Sequence, residues 1–368
     1  MQQRPVRILL PEAMKGQLSR RLFLGGTLGF GASLALAACA PGTSGGGGGN
    51  GGGGGLNIYT WGEYDDPDVL KAFAEQGGPS ITLDSYGSNQ EMIAKLAASS
   101  GTSGYDITVP THPYIAQMAE LDLLEELDQS LLPNMKNVQA AFIDQDFDPG
   151  NKFSVPKAWG STGFAYDTTV VQRELTSWAD FWDAAQNEAS GSMSLTEDPN
   201  EIAYSYYLAN GIDINTEDEA DIAAFREFIL TIGTHIQTFE SYPSDTIAQS
   251  GRALVQGWNG DLRQGIINNA DKERFKWVAP AEGMATFIDN WCIVKGSQNV
   301  EAAHDFINYV LDPEVSLAEL EYIGYNTAIE GIEELAADTE RADIIFFTPE
   351  ETERQFFSAL TTAEEPHV

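Results

Sequence analysis

From Leu56 onward, short apolar runs alternate with stretches of helical periodicity. Strands are predicted at Leu56–Trp61, Ile81–Tyr86, Asp106–Pro110, Phe153–Pro156, Gly163–Tyr166, Met193–Thr196, Ala253–Trp258, Phe275–Ala279 and Phe287–Val294. Each is a short apolar run bounded by turn-forming residues. Helix starts are legible between them. Asp66-Pro67 and Asp312-Pro313 place an N-cap before a proline at the first helical position, where its missing N–H costs nothing. Ser88-Asn89-Gln90-Glu91 and Ser177-Trp178-Ala179-Asp180 have capping-box spacing. Strands alternating with helices over this length indicate an α/β protein with largely parallel sheets.

The pattern before Leu56 is of another kind. Ser19-Arg20-Arg21-Leu22-Phe23-Leu24 sets a twin-arginine pair before the apolar stretch Gly25–Ala38, which is too short for a permanent membrane span. Residues 1–38 therefore read as a cleavable export signal. Leu36-Ala37-Ala38-Cys39 closes it and resembles the lipobox of bacterial lipoproteins, which makes Cys39 the expected lipidated first residue. Residues 40–55 are Gly-rich coil, a tether with an r.m.s. reach of about 20–24 Å. No second hydrophobic span follows, so membrane contact would rest on the lipid alone.

Composition narrows the function. Lys+Arg number 20 against 55 Asp+Glu, a formal charge of −35. Residues 1–38 hold Arg4, Arg7, Lys15, Arg20 and Arg21 against Glu12, leaving a mature chain with 15 basic and 54 acidic side chains, or −39. Nucleic-acid binding through phosphates needs Lys/Arg stripes and is excluded. A hydrophobic content of 42%, with 7 Trp, 13 Tyr and 18 Phe, is enough to bury sizeable cores, so the chain is not a disordered acidic tail. Its 368 residues suggest roughly two domains. Cys39 and Cys292 alone give no disulfide scaffold, and the four histidines lie too far apart for a metal site.

Enzyme signatures are missing. The Gly45–Gly55 run lacks the Lys-Ser/Thr of a phosphate-binding loop, and Gly-x-Ser-x-Gly does not occur. With 54 mature acids, an arbitrary carboxylate pair says nothing about glycoside hydrolysis. Tyr206-Tyr207 could serve an iron-binding role by residue type, but both sit in the helical pattern Ile202–Leu208, where aromatics usually pack in the core.

The segment Asn57-Ile58-Tyr59-Thr60-Trp61-Gly62-Glu63-Tyr64 is a strand ending in an aromatic–acid–aromatic cluster. It resembles the opening of the spermidine/putrescine-binding proteins of bacterial polyamine ABC importers. The resemblance continues in order through Tyr86-Gly87-Ser88-Asn89, Tyr105-Asp106 with Val109-Pro110, Val155-Pro156 with Trp159-Gly160, Ser177–Asp180, Trp258-Asn259-Gly260 and Ile323-Gly324-Tyr325. It implies a two-lobed periplasmic-binding-protein type II fold, with mixed sheets flanked by helices and a ligand cleft between the lobes. The expected division is 56–165 plus 285–330 for lobe 1 and 166–284 plus 331–368 for lobe 2. Partner permease and ATPase subunits, a polyamine ligand, no cofactor and a monomeric state go with it.

Carried over by position, the resemblance makes Trp61 and Tyr64 cleft aromatics, Glu63 a polar contact and Thr111 a small hydroxyl. Asp198 and Glu201 become acids for a terminal amine, Trp258 an aromatic wall, Asp289 the acid for a central amine and Tyr325 a further cleft tyrosine. A polyamine suits this inventory, because ammonium groups separated by methylenes need spaced carboxylates with aromatic faces between them. Asp198-Pro199-Asn200-Glu201 is equally a good helix start, and both readings stand. Asp289 lies in an otherwise largely apolar strand, where an unpaired acid is costly, so it is the most informative of the acids. Trp61 and Trp258 end apolar runs and could be cleft wall or core; Cys292 reads as a buried apolar residue. Three departures thin one side of the expected cleft: Pro113 stands at a tyrosine position with Tyr114 beside it, Phe287 replaces a tryptophan, and Gly62 replaces a hydroxyl residue. The expectation is a lipid-anchored, extracytoplasmic, non-enzymatic binding protein that delivers a polyamine to an ABC permease. A binding protein for another solute, such as an anionic one, or a surface hydrolase are the alternatives.

Overall fold

The computed structural model describes residues 55–99, 101 and 103–359. The expected export signal, Cys39 and nearly all of the Gly-rich tether lie outside the described residues, as does 360–368. Among the described residues ten strands form: β1 (Leu56–Trp61), β2 (Ile81–Tyr86), β3 (Ile107–Thr108), β4 (Ser154–Asp167), β5 (Met193–Thr196), β6 (Ile236–Glu240), β7 (Leu254–Trp258), β8 (Phe275–Val278), β9 (Met284–Ile293) and β10 (Gln355–Phe357). The helices that matter here are α1 (Pro67–Glu75), α2 (Asn89–Ser99), α3 (Tyr114–Glu120), α4 (Trp178–Gln186), α5 (Pro199–Ala209), α6 (Glu219–Ile232), α7 (Pro243–Ala248), α8 (Asn259–Asn268), α9 (Val300–Val310) and α10 (Pro313–Ile323).

The strand order is β2-β1-β3-β9-β4-β7-β5-β6. β1 runs parallel to β2 and β3, and β5 runs parallel to β6 and β7, while β9 is antiparallel to β3 and β4. The sheets are thus mixed. β4 joins them: Ser154–Ser161 pair with β9, and Thr162–Tyr166 pair with β7. One core, with Leu56, Ile58, Ile107, Trp291, Phe306 and Leu320, packs under the first half. A second, with Phe164, Trp178, Phe181, Leu195, Tyr207 and Phe225, packs under the other. After residue 330 the chain serves more than one core: Ile332, Ala336 and Ile345 join the first, whereas Ile344 packs with Val255 and Leu262.

Capping follows the sequence. Asp66, Ser177, Asp198 and Asp312 each accept from a backbone N–H in the first turn of α1, α4, α5 and α10. The clearest difference is β4, a single 14-residue strand where two short strands were predicted. Lys157 to Thr162 lie buried or half-buried between two sheets, so no alternation marks them, and Pro156 is absorbed where the register shifts between Pro156 and Ala158. β9 begins three residues earlier than expected. β6 and β10 were not predicted: β6 is a short polar edge strand, and β10 has three residues and one partner, β9.

Candidate functional site

Between the two halves lies a cavity of about 1230 Å³. The nine residues Trp61, Glu63, Tyr64, Thr111, Asp198, Glu201, Trp258, Asp289 and Tyr325 all line it. They come from distant parts of the chain because β1, β7 and β9 end or pass at one place, which is where ligands bind in α/β proteins. Eleven aromatic residues and seven carboxylates line the cavity, and among its described lining residues there is no Lys, Arg or His.

Asp289 is the most fully buried and hydrogen-bonded of the predicted acids. It is 5% exposed on β9, its Oδ1 accepts from Thr111 Oγ1 at 2.8 Å and its Oδ2 accepts from the Tyr64 hydroxyl at 3.0 Å. Thr111 is itself fixed, its N–H donating to Asn89 Oδ1 and its Oγ1 accepting from Asn89 Nδ2, both at 3.0 Å. Burial pushes the Asp289 carboxyl up to about 6, against the lowering pull of the two hydroxyls and of Lys157. A buried acid raised in this way gains from any positive charge brought beside it.

Aromatic walls surround it. Trp61 is anchored by its indole N–H, which donates to Val109 O at 3.0 Å, and it packs edge-on against Tyr86 at 4.6 Å. Tyr325 meets Tyr64 edge-on at 5.7 Å and Phe287 at 5.6 Å. This close packing needs Gly160 and Gly260, since a Cβ at either would lie within 3 Å of the Tyr325 ring. Trp258 is the residue immediately before α8.

At the other end Glu201 is half-buried beside the exposed Asp198. Burial and the Asp198 charge push it up to about 8, opposed by the nearby Thr162 hydroxyl and Trp258 indole N–H. Asp198 caps α5, its Oδ1 accepting from Asn200 N at 2.8 Å. It also lines the cavity, so the capping and cleft readings hold together. Glu63 sits with φ 55°, a left-handed backbone uncommon for a non-glycine residue.

Asp261 was missed. It lines the cavity in the first turn of α8, accepts a hydrogen bond from the Tyr325 hydroxyl, and is pushed up to about 6 by burial, with Glu63 adding to the rise. In sequence it sits one residue past Trp258-Asn259-Gly260, where an acid reads as a helix-dipole partner. Tyr204, Tyr242 and Tyr322 were missed as well; the first shares α5 with ordinary core aromatics and gives no distinguishing signal. The departures are accommodated. The Tyr242 hydroxyl lies 3.1 Å from where a Cβ at Gly62 would sit, and Pro113 and Tyr114 both reach the cavity at the start of α3. Tyr206 and Tyr207 pack on Phe225 as helix aromatics, Tyr207 also reaching the cavity, and Cys292 is buried.

Among the described residues no group of three or more His, Cys, Asp or Glu could hold a metal ion, and no helix is long and apolar enough to cross a membrane.

A family model described as bacterial extracellular solute-binding protein matches residues 68–346. The spermidine/putrescine-binding periplasmic protein 1 of Haemophilus influenzae is 32% identical over 273 residues, 74% of this chain and 74% of that protein. The putrescine-binding periplasmic protein SpuD of Pseudomonas aeruginosa is 29% identical over 320 residues, 82% of this chain and 86% of that one. Among solved structures, the spermidine/putrescine ABC transporter substrate-binding protein PotD of Streptococcus pneumoniae superposes with a TM-score of 0.71 at 29% identity, covering 83% of this chain and 93% of that one.

Proposed function

The chain belongs to the bacterial extracellular solute-binding proteins, and on that premise we propose that it is the solute-binding subunit of an ABC importer that captures a polyamine between its lobes. The observation that carries this reading is the cavity lining: seven carboxylates and eleven aromatics with no Lys, Arg or His among them. An anionic solute would call for an arginine clamp or free helix N-termini facing the cleft; the N-termini of α5 and α8 reach the cavity, but they carry Asp198, Glu201 and Asp261, and the described lining offers no basic side chain. The names of the relatives, which bind spermidine or putrescine, agree with it.

In this reading Asp289, Glu201 and Asp198 neutralise ammonium groups, with Glu63 and Thr111 as polar contacts. Trp61, Tyr64, Trp258 and Tyr325 flank the alkyl chain through cation–π and apolar contact. No bond is made or broken. Ligand binds the closed arrangement better than the open one and shifts the equilibrium, with β4 and β9 as the strands linking the halves, and the permease reads the closed shape. The mature protein works as a monomer outside the cytoplasm, held to the membrane through lipidated Cys39 and the Gly-rich tether.

Calorimetry of the chain lacking residues 1–38, titrated with spermidine, spermine, putrescine, agmatine and an anionic amino-acid derivative at moderate salt, tests the ligand class. A polyamine is expected to bind in the micromolar range or tighter. Binding no tighter than about millimolar for every amine, roughly −4 kcal/mol, would overturn the reading.

A further inference from the structure

Beneath the cavity floor, outside the described lining, lies a buried ion cluster with no part in the ligand contacts above. Lys157 Nζ on β4 is 2.8 Å from Asp65 Oδ1 and 3.4 Å from Glu319 Oε2 on α10. All three side chains are at most 5% exposed. The ammonium also lies 4.2 Å from the centroid of the Trp291 ring and 4.9 Å from that of Tyr64. Three buried charges are expensive, and apolar residues of similar volume commonly stabilise a core better, so fold stability alone does not account for them.

The geometry ties the cluster to the site. Asp65 follows Tyr64 directly, and the neighbouring Asp66 N–H donates to Glu319 Oε1 at 3.2 Å. Segment 62–66 is therefore gripped from below at Asp65 and Asp66, with the ammonium under the Tyr64 ring. This short segment carries three of the cavity residues, Gly62, Glu63 and Tyr64. Glu63 holds a left-handed backbone that is strained for a non-glycine residue and persists only where the surroundings impose it. Tyr64 must keep its ring fixed for its hydroxyl to donate to Asp289.

We propose that Lys157, acting through Asp65, Glu319 and the Tyr64 ring, is a positioning residue of the ligand site: it holds segment 62–66 so that Glu63 and the Tyr64–Asp289 pair face the ligand. The inference rests on the polyamine reading for its ligand, and its geometry stands apart from that. Asp289 faces the Tyr64 and Thr111 hydroxyls directly, and the Tyr86 and Tyr325 phenols and the Lys157 ammonium at longer range. The Lys157 charge favours the ionised form of Asp289. A positioning role predicts weaker ligand binding together with a loosened segment 62–66, which a role in core packing alone does not.

Lys157→Met strands two buried carboxylates and is expected to lower stability on that ground alone. The charge-free variant Asp65→Asn/Lys157→Met/Glu319→Gln removes that penalty and is the working test. It is expected to fold with a near-parental melting temperature. Its polyamine affinity at pH 8 should fall by about tenfold or more, and amide exchange of residues 62–66 should quicken while that of β5 and β6 stays unchanged. A folded triple variant with unchanged Kd would overturn the proposal. If the parent binds no polyamine, the functional reading has failed on its own. Amide exchange of residues 62–66 in the ligand-free proteins then decides: faster exchange in the triple variant supports the positioning role, and identical exchange refutes it.

Discussion

Replacing Asp289 by Asn separates the cost of the acid to the fold from its value to the ligand. In the free protein burial raises this carboxyl from 3.8 to about 6. A move of roughly two pH units corresponds to about 3 kcal/mol disfavouring the ionised form. The sign follows from linkage: the raised value contributes stability below pH 4, and that stability is lost as pH climbs through 6, so at pH 8 the empty protein carries the penalty. Asn removes the charge but cannot accept from both Tyr64 and Thr111, so the gain is below the full 3 kcal/mol. For the ligand the balance reverses. Removing one partner of a buried, hydrogen-bonded charge pair costs about 2–5 kcal/mol, or roughly 30- to 5000-fold in Kd. Melting curves of both proteins at pH 5 and pH 8, with calorimetric titration of spermidine at pH 8, measure the two effects. The variant should melt at or above the parent at pH 8, lose part of the parent's decline between pH 5 and pH 8, and bind at least about 30-fold more weakly. Unchanged affinity in a folded variant would refute the assignment of Asp289, and a variant melting far below the parent would refute the penalty.

Three further outcomes are expected. Ammonium ligands should drive protons off Asp289, Asp261 and Glu201, whose ligand-free values are pushed up to about 6, 6 and 8, so affinity should rise from pH 5 to pH 8; calorimetry at pH 7 in buffers of different ionisation heat should register proton release, and tighter binding at pH 5 would contradict this. Trp258→Ala should weaken polyamine binding by about tenfold or more through lost cation–π and apolar contact, while Trp258→Phe recovers part of it; equal affinity in both variants would place Trp258 outside the ligand contacts. Cys39→Ala should release the exported protein from the membrane fraction, and an unchanged membrane fraction would argue against the anchor.

The strands with apolar runs between turn formers, such as β1, β2 and β5, were legible to the residue, because each presents a continuous β-forming segment with clear ends. β4 was not, since a strand shared by two sheets has no exposed face to mark its middle. The site was readable where chemistry contradicts its surroundings: an acid inside an apolar strand, as at Asp289, announces itself. Asp261 did not, because an acid in a first helical turn has an ordinary explanation. The Lys157 cluster was invisible for a further reason. Asp65, Lys157 and Glu319 are separated by 92 and 162 residues, and only the fold brings the charges into one buried group.

The central claim is that this acidic, aromatic-walled cavity holds a polyamine by its ammonium groups. A crystal structure of the chain with spermidine tests it most directly. The account predicts the ligand inside the cavity with one nitrogen in hydrogen-bond contact with Asp289, another near Glu201 and Asp198, and its methylenes between Trp61, Tyr64, Trp258 and Tyr325. Spermidine bound elsewhere, or in the cavity with no nitrogen near any of those three carboxylates, would contradict it.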